Sequence, residues 1–386
     1  MPPDADADQL KVGDVAEAAG LRTMHILAWR DLADVEAGGS EVHADEIASR
    51  WADAGLDVVM RTSHAAGHLE RARRNGYRVV RRRGRHLVFL DAPLQELLGR
   101  DGRRDGLLEV WNGLPFFTPL WARGPRATFV HHVHADMWRA VMSPGLARLG
   151  EVLEQRIAPP LYRRSTVMTP SPSSRDDIVR RLRLPPEHVV AVANGVDERF
   201  SPGGERSSTP MVLTVGRLVP HKRLDLLVRA VAAARDQVSG LQLVVVGDGY
   251  ERPALEAVLD ELDATAWVHV LGRVSDDRLV DLYRQAWVVA SASQSEGWGM
   301  TITEAAACGT PAVVTRIPGH VDVVDDGRSG LLVDAADDLT SALGRVLGDP
   351  DLRERLGRGA IERARSLSWD RAAVDVLRGV AGRLHA

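Results

Sequence analysis

Two glutamates in one short segment are the residues of this sequence whose types and spacing best suit ligand chemistry. In "SQSEGWGMTITEAAACGTPAVV", residues 293–314, Glu296 lies in a glycine turn, and seven residues separate it from Glu304 in a predicted helix. Glycines let backbone N–H groups approach a phosphate, and a helix N-terminus favours negative charge. We therefore expect a diphosphate at the amides between the acids, with Glu296 directed to sugar hydroxyls and Glu304 to a ribose diol. The plain alternative is an ordinary glycine turn and a solvent-facing glutamate, and the two acids alone do not decide between these readings.

A second segment supplies the positive charge that a diphosphate needs. In "TVGRLVPHKRLDLLVRA", residues 214–230, Arg217 and Lys222 follow a predicted strand and precede a predicted helix. Arginine binds an anion as a fork and lysine as a point charge. Two solvated basic residues in a loop are a common alternative. Lys222, however, is one of only two lysines in the chain, the other being Lys11.

Three histidines close another predicted strand, in "FVHHVHADMW", residues 129–138. On a strand His132 and His134 share one face and His131 takes the other. A zinc site is the alternative to a ligand contact, but no cysteine lies nearby. We predict no metal site, and we interpret His131 as a core histidine.

The predicted strands and helices that position these segments alternate along the chain in two successive α/β series. "TMHILAWR" begins the first and "MVLTVGRL" the second, and "VVAVANGVDERFSPGGERSSTP" between them is rich in Gly, Pro and Ser. Uninterrupted runs such as "LVVVG" suit parallel strands buried on both faces. We predict further strands at "LDVVMRT", "YRVVRR", "HLVFLD", "GLLEVWN", "ATFVHHV", "LQLVVVGDG", "WVHVLGRV", "AWVVASAS", "TPAVVT" and "SGLLVD". Two doubly wound domains place ligands at the carboxyl ends of strands, so we expect the site in the cleft between them.

Bulk composition excludes several classes of protein. A length of 386 residues with 26% charged residues suits two soluble domains, and a net charge of −4 argues against nucleic-acid binding. The single cysteine, Cys308, rules out an internal disulfide and favours the cytoplasm. No apolar run reaches the roughly 20 residues of a membrane span, and we expect residues 1–22 to be a disordered tail.

Taken in order, these motifs resemble the retaining glycosyltransferases of family 4, which have the GT-B fold. The resemblance rests on "AGGSEVHADEIASRWADAGLDVVMRT", "GRLVPHKRLDLL", "VVGDG", "LGRVSDDRLVDLYRQA" and the segment with the paired glutamates, and it runs from about residue 23 to the end. It implies two Rossmann-like domains facing across a cleft. Residues 23–200 would bind the acceptor and 208–366 the nucleotide-sugar, while 367–386 would form a helix crossing back to the first domain, with Trp369 as an anchor.

The resemblance also implies roles for individual positions. Arg217 and Lys222 would hold the diphosphate, and Glu304 would bind the ribose. Glu296 would contact the transferred sugar together with His134, with His132 as the second choice for that histidine. Catalysis would thus depend on His134, Arg217, Lys222 and Glu296, and the donor site would add Gly38, Gly39, Gly216, Arg273, Val274, Gly297, Trp298, Gly299, Met300 and Glu304. Trp298, Thr301 and Ile302 depart from the family's usual residues, which leaves the identity of the sugar open.

The predicted activity is transfer of a hexose or hexosamine from a nucleoside-diphosphate sugar to an acceptor hydroxyl, with retained configuration and neither metal nor cofactor. The acceptor class is open between a lipid, a natural product and a saccharide, as is the oligomeric state. A sugar-nucleotide epimerase of similar fold and a non-catalytic sugar-nucleotide-binding subunit are the alternatives. A nicotinamide-binding enzyme is disfavoured because "GDGYER" lacks the third glycine of that motif.

Two further segments invite hypotheses about surfaces. "ERARRNGYRVVRRRGR", residues 70–85, holds eight arginines, and its simplest interpretation is a solvated face. The sharper hypothesis is that Arg81, Arg82 and Arg83 contact an acidic acceptor or an anionic membrane at the inner face. The aromatic segment "WNGLPFFTPLW", residues 111–121, is predicted to be partly core.

Overall fold

The strands form at the short apolar runs of the sequence, and they belong to two separate sheets. The computed structural model describes residues 10–134, 138 and 143–384. Its contacts divide the chain into one unit up to Gly195 with Ser368 onward, and a second unit, Val196–Leu367. The chain therefore passes between the units twice, at 195/196 and at 367/368.

The sheet of the first unit has the order β3-β4-β2-β1-β5-β6-β7-β8. All its neighbouring pairs are parallel except β3 and β4, and residues such as Ile26, Val59 and Leu108 are fully buried. The strands are β1 (Thr23–Leu27), β2 (Asp57–Thr62), β3 (Arg71–Arg74), β4 (Tyr77–Arg81), β5 (Gly106–Trp111), β6 (Arg126–Val130), β7 (Thr166–Thr169) and β8 (Val189–Ala191).

The helices of the first unit include one within residues 10–22, which were predicted to belong to a disordered tail; residues 1–9 of that prediction lie outside the described residues. Residues 12–19 form a helix, α1, because Val12, Val15 and Ala16 bury one face of it, and it contacts the C-terminal helix. The C-terminal helix belongs to this unit, and Ala373 in it accepts a hydrogen bond from Trp51 Nε1 at 3.0 Å. The helices are α1 (Val12–Ala19), α2 (Gly39–Asp53), α3 (Val88–Leu97), Thr118–Trp121, Pro144–Val152, a π-turn Leu153–Ile157, Ala158–Tyr162, Pro172–Leu182, a 3-10 turn Pro186–His188 and Trp369–Val380.

Two predictions for residues 70–91 were wrong or incomplete. "HLVFLD" was predicted as a strand, but it opens the helix α3, in which Val88 and Ala92 are buried one turn apart. A short apolar run suits either element, and the packing of the residues that follow it decides. The arginine run is partly a hairpin: β3 and β4 pair across Asn75 and Gly76, which both have positive φ, as a tight two-residue turn requires.

The second unit carries a fully parallel sheet of order β11-β10-β9-β12-β13-β14. Its core lies on both faces: Leu227 and Val231 of a helix pack with Val212 of β9 on one face, and Leu282 and Tyr283 of another helix pack with Leu213 of β9 on the other. The strands are β9 (Met211–Val215), β10 (Gln242–Val246), β11 (Val268–Gly272), β12 (Val288–Ser291), β13 (Ala312–Thr315) and β14 (Gly330–Val333). The helices are a 3-10 turn Pro220–Lys222, Leu224–Ala234, Arg252–Glu261, a 3-10 turn Ala264–Ala266, Asp276–Gln285, Met300–Ala307, His320–Val323, Asp338–Gly348 and Pro350–Arg365.

None of the helices in the described ranges combines the length and the hydropathy of a membrane-spanning segment.

Candidate active site

An open pocket of about 430 Å³ lies in the second unit at the carboxyl ends of β9 and β12. Gly216 and Arg217 follow β9 directly, and the turn with Glu296 follows β12. Carboxyl ends of neighbouring parallel strands meet at one sheet edge, so the two segments singled out in the sequence come together there. The pocket is lined by Thr214, Val215, Gly216, Arg217, Leu218, Lys222, Leu224, Val245, Val246, Val289, Ala290, Ser291, Glu296, Thr301, Ile302 and His320.

An ion pair between Lys222 and Glu296 forms the polar part of the pocket. Lys222 Nζ donates to Glu296 Oε1 at 2.5 Å, and Ser293 Oγ donates to the same oxygen at 2.9 Å. The side chains are 18% and 17% exposed, so solvent screens the pair only in part. Burial by itself would raise the pKa of Glu296, but the Lys222 ammonium, with His320 and the hydrogen bond from Ser293, outweighs it and holds the pKa at about 2. Glu296 is therefore a carboxylate at any physiological pH.

Arg217 gives the pocket an excess of positive charge. It is half-buried, and no carboxylate pairs with it within the described residues. Two cations, Arg217 and Lys222, thus line the pocket together with one carboxylate, Glu296. A lysine ammonium carries three donors, so the bond to Glu296 leaves Lys222 able to bind an anion as well.

His320 is a pocket residue that the sequence analysis missed. Its side chain is buried, and Nδ1 lies 2.8 Å from the carbonyl oxygen of Thr315. Because a carbonyl only accepts, Nδ1 carries the proton, and Nε2 is an acceptor to which no described residue donates. Burial lowers the pKa of His320, although the Glu296 carboxylate opposes this, so the ring is neutral. The only signal in the sequence was a histidine shortly after a buried strand.

Two glycines after β10, Gly247 and Gly249, let the Arg217 loop pack closely. A Cβ on Gly247 would lie 1.9 Å from the carbonyl oxygen of Gly216, and one on Gly249 would lie 2.3 Å from that of Leu218. Gly247 also has φ +130°, a conformation that favours glycine. These glycines therefore shape the pocket wall, a role that the sequence analysis did not assign to "GDG".

The glycine turn between the two acids is fixed by its packing. Gly299 has φ +104° and precedes the helix Met300–Ala307. The Trp298 side chain is 4% exposed and packs with Ile302 and Val323, so only the backbone of Trp298 could face a ligand. Gly297 and Met300 are half-buried on either side of this turn. The predicted phosphate position thus coincides with a helix N-terminus, where backbone N–H groups lack partners within the helix.

Glu304 lies outside the lining of the pocket, although it was predicted to share the donor site with Glu296. Tyr283 Oη donates to Glu304 Oε2 at 2.7 Å. Burial, with a smaller contribution from the neighbouring Asp197 and Asp276, raises the pKa of Glu304 to about 7 against the opposing effect of the hydrogen bond from Tyr283. Glu304 is thus a carboxyl that titrates near neutrality.

The residues predicted to flank the base also lie outside that lining. Arg273 and Val274 directly follow β11, the edge strand of the sheet. Arg273 is exposed, and Val274 is half-buried against the cluster that contains Tyr283. The structure therefore places them at the same end of the sheet as the pocket, two strands away from β9.

The remaining predicted residues belong to the first unit. Gly38 is the N-cap of α2, and its N–H donates to Glu41 Oε2 at 2.8 Å, with Gly39 as the first helical residue. The His132 and His134 rings stack with centroids 4.5 Å apart, as their shared face predicted.

His131 and His134 have different surroundings. His131 is 6% exposed and packs against Phe129 and His43, in agreement with a core histidine. The backbone N–H of His134 donates to Glu154 Oε1 at 2.8 Å, and Trp138 Nε1 donates to the other oxygen at 2.9 Å. Glu154 thus fixes the backbone at the histidine that was predicted to contact the sugar. Residues 135–137 of this segment lie outside the described residues.

Comparison with known proteins identifies the family of both halves. Residues 37–200 match the model described as Glycosyltransferase Family 4, and residues 196–363 match the one described as Glycosyl transferases group 1. A D-inositol 3-phosphate glycosyltransferase of Saccharomonospora viridis is 38% identical over 227 residues, which is 53% of either chain. The chain therefore spans about half the length of the curated relatives it matches.

Solved structures extend the similarity to nearly the whole chain. Sucrose-phosphate synthase of Thermosynechococcus elongatus superposes with a TM-score of 0.75 at 19% identity, covering 92% of this chain and 97% of that one. HepE of Anabaena, solved in complex with UDP-glucose, gives a TM-score of 0.74 at 18% identity, with 94% and 99% covered. At this identity the likeness shows the fold, which is GT-B. On the two family models, the fold and the curated relatives together, this chain belongs to glycosyltransferase family 4.

Proposed function

We propose that this protein transfers a sugar from a nucleoside-diphosphate sugar to an acceptor hydroxyl, with retained anomeric configuration. The observation that carries the proposal is the Lys222–Glu296 pair at 2.5 Å in a pocket that Arg217 also lines. A diphosphate leaving group carries negative charge that grows as the glycosidic bond breaks. Preorganised cations stabilise such charge without having to reorganise during the reaction.

The donor that we propose is a uridine diphosphate sugar. HepE, which shares the fold, has been solved in complex with UDP and glucose and in complex with UDP-glucose. In this chain Arg217 and Lys222 would hold the diphosphate, the amides at Gly297–Met300 would add to its binding, and Glu304 would accept bonds from the ribose hydroxyls. Arg273 and Val274 would flank the base.

The chemical step that we propose needs neither metal nor cofactor, because side chains supply the positive charge. Glu296, which is ionised, would accept a hydrogen bond from a hydroxyl of the transferred sugar while it holds Lys222 in place. His134 of the first unit would be the second contact to that sugar. The leaving phosphate would help to remove the proton of the acceptor hydroxyl, on the same face of the sugar from which it departs.

Ligand binding tests the donor site first. Thermal shifts of the purified protein with UDP, GDP, ADP and their glucose conjugates should show stabilisation by the uridine compounds, since a ligand that binds only the folded state stabilises it by mass action. Lys222→Ala should lose that shift. Lys11→Ala is the matched control, since it removes the other lysine from an exposed position of the first unit and should keep the shift. No shift with any of these compounds would contradict the proposed donor. A shift with only the guanosine or adenosine compounds would contradict the proposed base.

Transfer itself is tested with the nucleotide sugar that binds and a panel of acceptors. Inositol 3-phosphate belongs in that panel because the curated relatives are named for it. NMR of the product should show the anomeric configuration of the donor, and a chelator should leave the rate unchanged. An inverted product would disprove retention, and conversion of the sugar nucleotide without acceptor would indicate an epimerase instead.

A further inference from the structure

Helix α3 (Val88–Leu97) of the first unit turns a row of leucines towards solvent. Leu87, Leu90, Leu94, Leu97 and Leu98 are between 52% and 73% exposed. Their spacing of three, four, three and one residues places them on one side of a helix. We call this row the leucine face.

The opposite side of the same helix is the buried one, and it is the more polar. Val88 and Ala92 pack into the core, but Gln95 and Glu96 are also buried, at 5% and 6% exposure. Glu96 accepts hydrogen bonds from His25 Nδ1 at 2.8 Å and from Arg61 Nε at 2.5 Å. The buried hydrogen bonds of Glu96 therefore fix which side faces inward, and the leucines remain outside.

The exposed charged residues within the segment that carries the leucine face are all of one sign. Within residues 83–103, all of which the structure describes, every exposed residue is leucine, glycine, arginine or histidine. Arg103 is 92% exposed and Arg83 is 65% exposed. The acids of this segment are shielded: the side chains of Asp91 and Asp101 are 11% and 3% exposed, and Asp91 lies 3.4 Å from Arg83 Nε. The exposed surface of the segment itself is thus apolar and cationic, while Glu36 and Glu70 of neighbouring segments pair with Arg85 and Arg82.

The neighbouring arginine run contributes less free charge than the sequence suggested. Arg81 is buried and donates to both oxygens of Asp31, and Arg82 Nε donates to Glu70 at 2.5 Å. Of the three arginines of the earlier membrane hypothesis, only Arg83 is exposed.

We propose that the leucine face and the exposed arginines beside it dock this protein onto the surface of an anionic phospholipid bilayer. A helix with leucines on one side and cations at its edges lies in the plane of the interface, with the apolar side chains among the acyl chains and the cations at the headgroups. The exposed arginines of this segment, Arg83, Arg100 and Arg103, match anionic headgroups and would repel a second copy of the same surface, which favours a bilayer over self-association. This docking is independent of the proposed transfer reaction.

Vesicle flotation of the full chain tests the proposal. We expect the protein to float with vesicles that contain phosphatidylglycerol. With vesicles of pure phosphatidylcholine it should remain in the bottom fraction. Leu90→Ser with Leu94→Ser should reduce the bound fraction at least tenfold. The matched control is Leu146→Ser with Leu149→Ser, which changes two leucines of similar exposure, 56% and 53%, on another helix of the same unit and should leave binding intact.

Each other outcome overturns the proposal. The first is that the protein does not bind phosphatidylglycerol vesicles. The second is that both double variants lose the same share of the bound fraction. The third is that the protein self-associates in light scattering and only the Leu90/Leu94 variant abolishes this. The thermal shift with UDP, measured on the same samples, shows that the variants are folded. It also separates a failed membrane surface from a failed donor site, because none of these leucines lies in the pocket.

Discussion

Lys222 and Glu296 come from loops 74 residues apart, and they meet as an ion pair of 2.5 Å beside the buried His320. Each fixes the state of the other: the ammonium keeps Glu296 ionised, and Glu296 together with Ser293 holds the ammonium in place. The pair is therefore poised for a ligand that offers an anion to one partner and a hydroxyl to the other.

Replacing Lys222 by Ala should reduce kcat by roughly two orders of magnitude, by analogy with the removal of one preorganised charge stabiliser. Lys222→Arg should recover part of the rate, because it restores the positive charge, but as a planar guanidinium and not as a compact ammonium. Steady-state kinetics with the donor that binds measures both. A Lys222→Ala enzyme with nearly normal kcat would contradict the role of the lysine.

The affinity for UDP-glucose should rise with pH up to about 7 and then level off. Glu304 has a pKa of about 7 in the free protein because it is buried, whereas ribose hydroxyls donate to its ionised form. Binding below that pH must therefore release a proton, and each lower pH unit should weaken binding by up to about tenfold. Calorimetry across pH 5–9 measures this, since the phosphates of UDP-glucose do not titrate there. Glu304→Gln should bind more weakly with no such slope, and an unchanged slope would place the titrating group elsewhere.

The same carboxyl makes a stability prediction without ligand. Its pKa is near 4.5 in the unfolded chain and about 7 in the folded protein, so the folded state binds the proton more tightly. The contribution of Glu304 to the free energy of unfolding is full below pH 4.5 and is lost as pH rises through 7. The melting temperature of Glu304→Gln should therefore rise relative to that of the wild type between pH 4.5 and pH 7. Above pH 7 the difference should stay constant, with the variant the more stable protein. A constant difference from pH 4.5 to pH 7 would exclude the shifted pKa.

Gly247→Ala should weaken donor binding more than tenfold, because the new methyl would displace the Gly216 carbonyl and with it the Arg217 loop. Gly240→Ala is the matched control: Gly240 also has a positive φ, but nothing lies within 4 Å of its Cβ position. It should cost about 1 kcal/mol of stability and leave affinity unchanged. Equal effects of both variants on binding would mean that backbone strain, and not the contact with Gly216, is responsible.

Tyr162→Phe should destabilise the first unit by about 1 kcal/mol, the usual net contribution of one buried hydrogen bond, since the acceptor keeps its other donors. Glu109 is completely buried, and Tyr162 Oη donates to its Oε1 at 2.7 Å, beside the backbone N–H of Phe116 at 2.5 Å. Denaturant unfolding measures the change. The control Tyr250→Phe removes a hydroxyl from a tyrosine that is 59% exposed and should shift stability by less than about 0.5 kcal/mol.

The parallel strands were predictable because their signals are local. A run such as "LQLVVVGDG" can bury both faces only in the interior of a sheet, and β10 forms there. The placement of Arg217, Lys222 and Glu296 was predictable for the same reason. Each follows a buried strand, and the carboxyl ends of parallel strands meet at one edge of the sheet. Periodicity alone did not separate strand from helix at residues 86–91, where apolar residues are too few to show a repeat.

What the sequence determined by itself is therefore the alternation of elements, the two sheets and the family, together with the segments that meet at the candidate site. The tertiary structure decided which partner each charge finds. Arg61 and Glu96, 35 residues apart, pair in the core, so three leucines of α3 and the two that flank it stay outside. Burial gives Glu304 a pKa near neutrality, and His320 reaches the pocket beside Glu296. The reason is physical: periodicity and turn chemistry act over a few residues, whereas burial and charge pairing depend on groups that only the folded chain brings together.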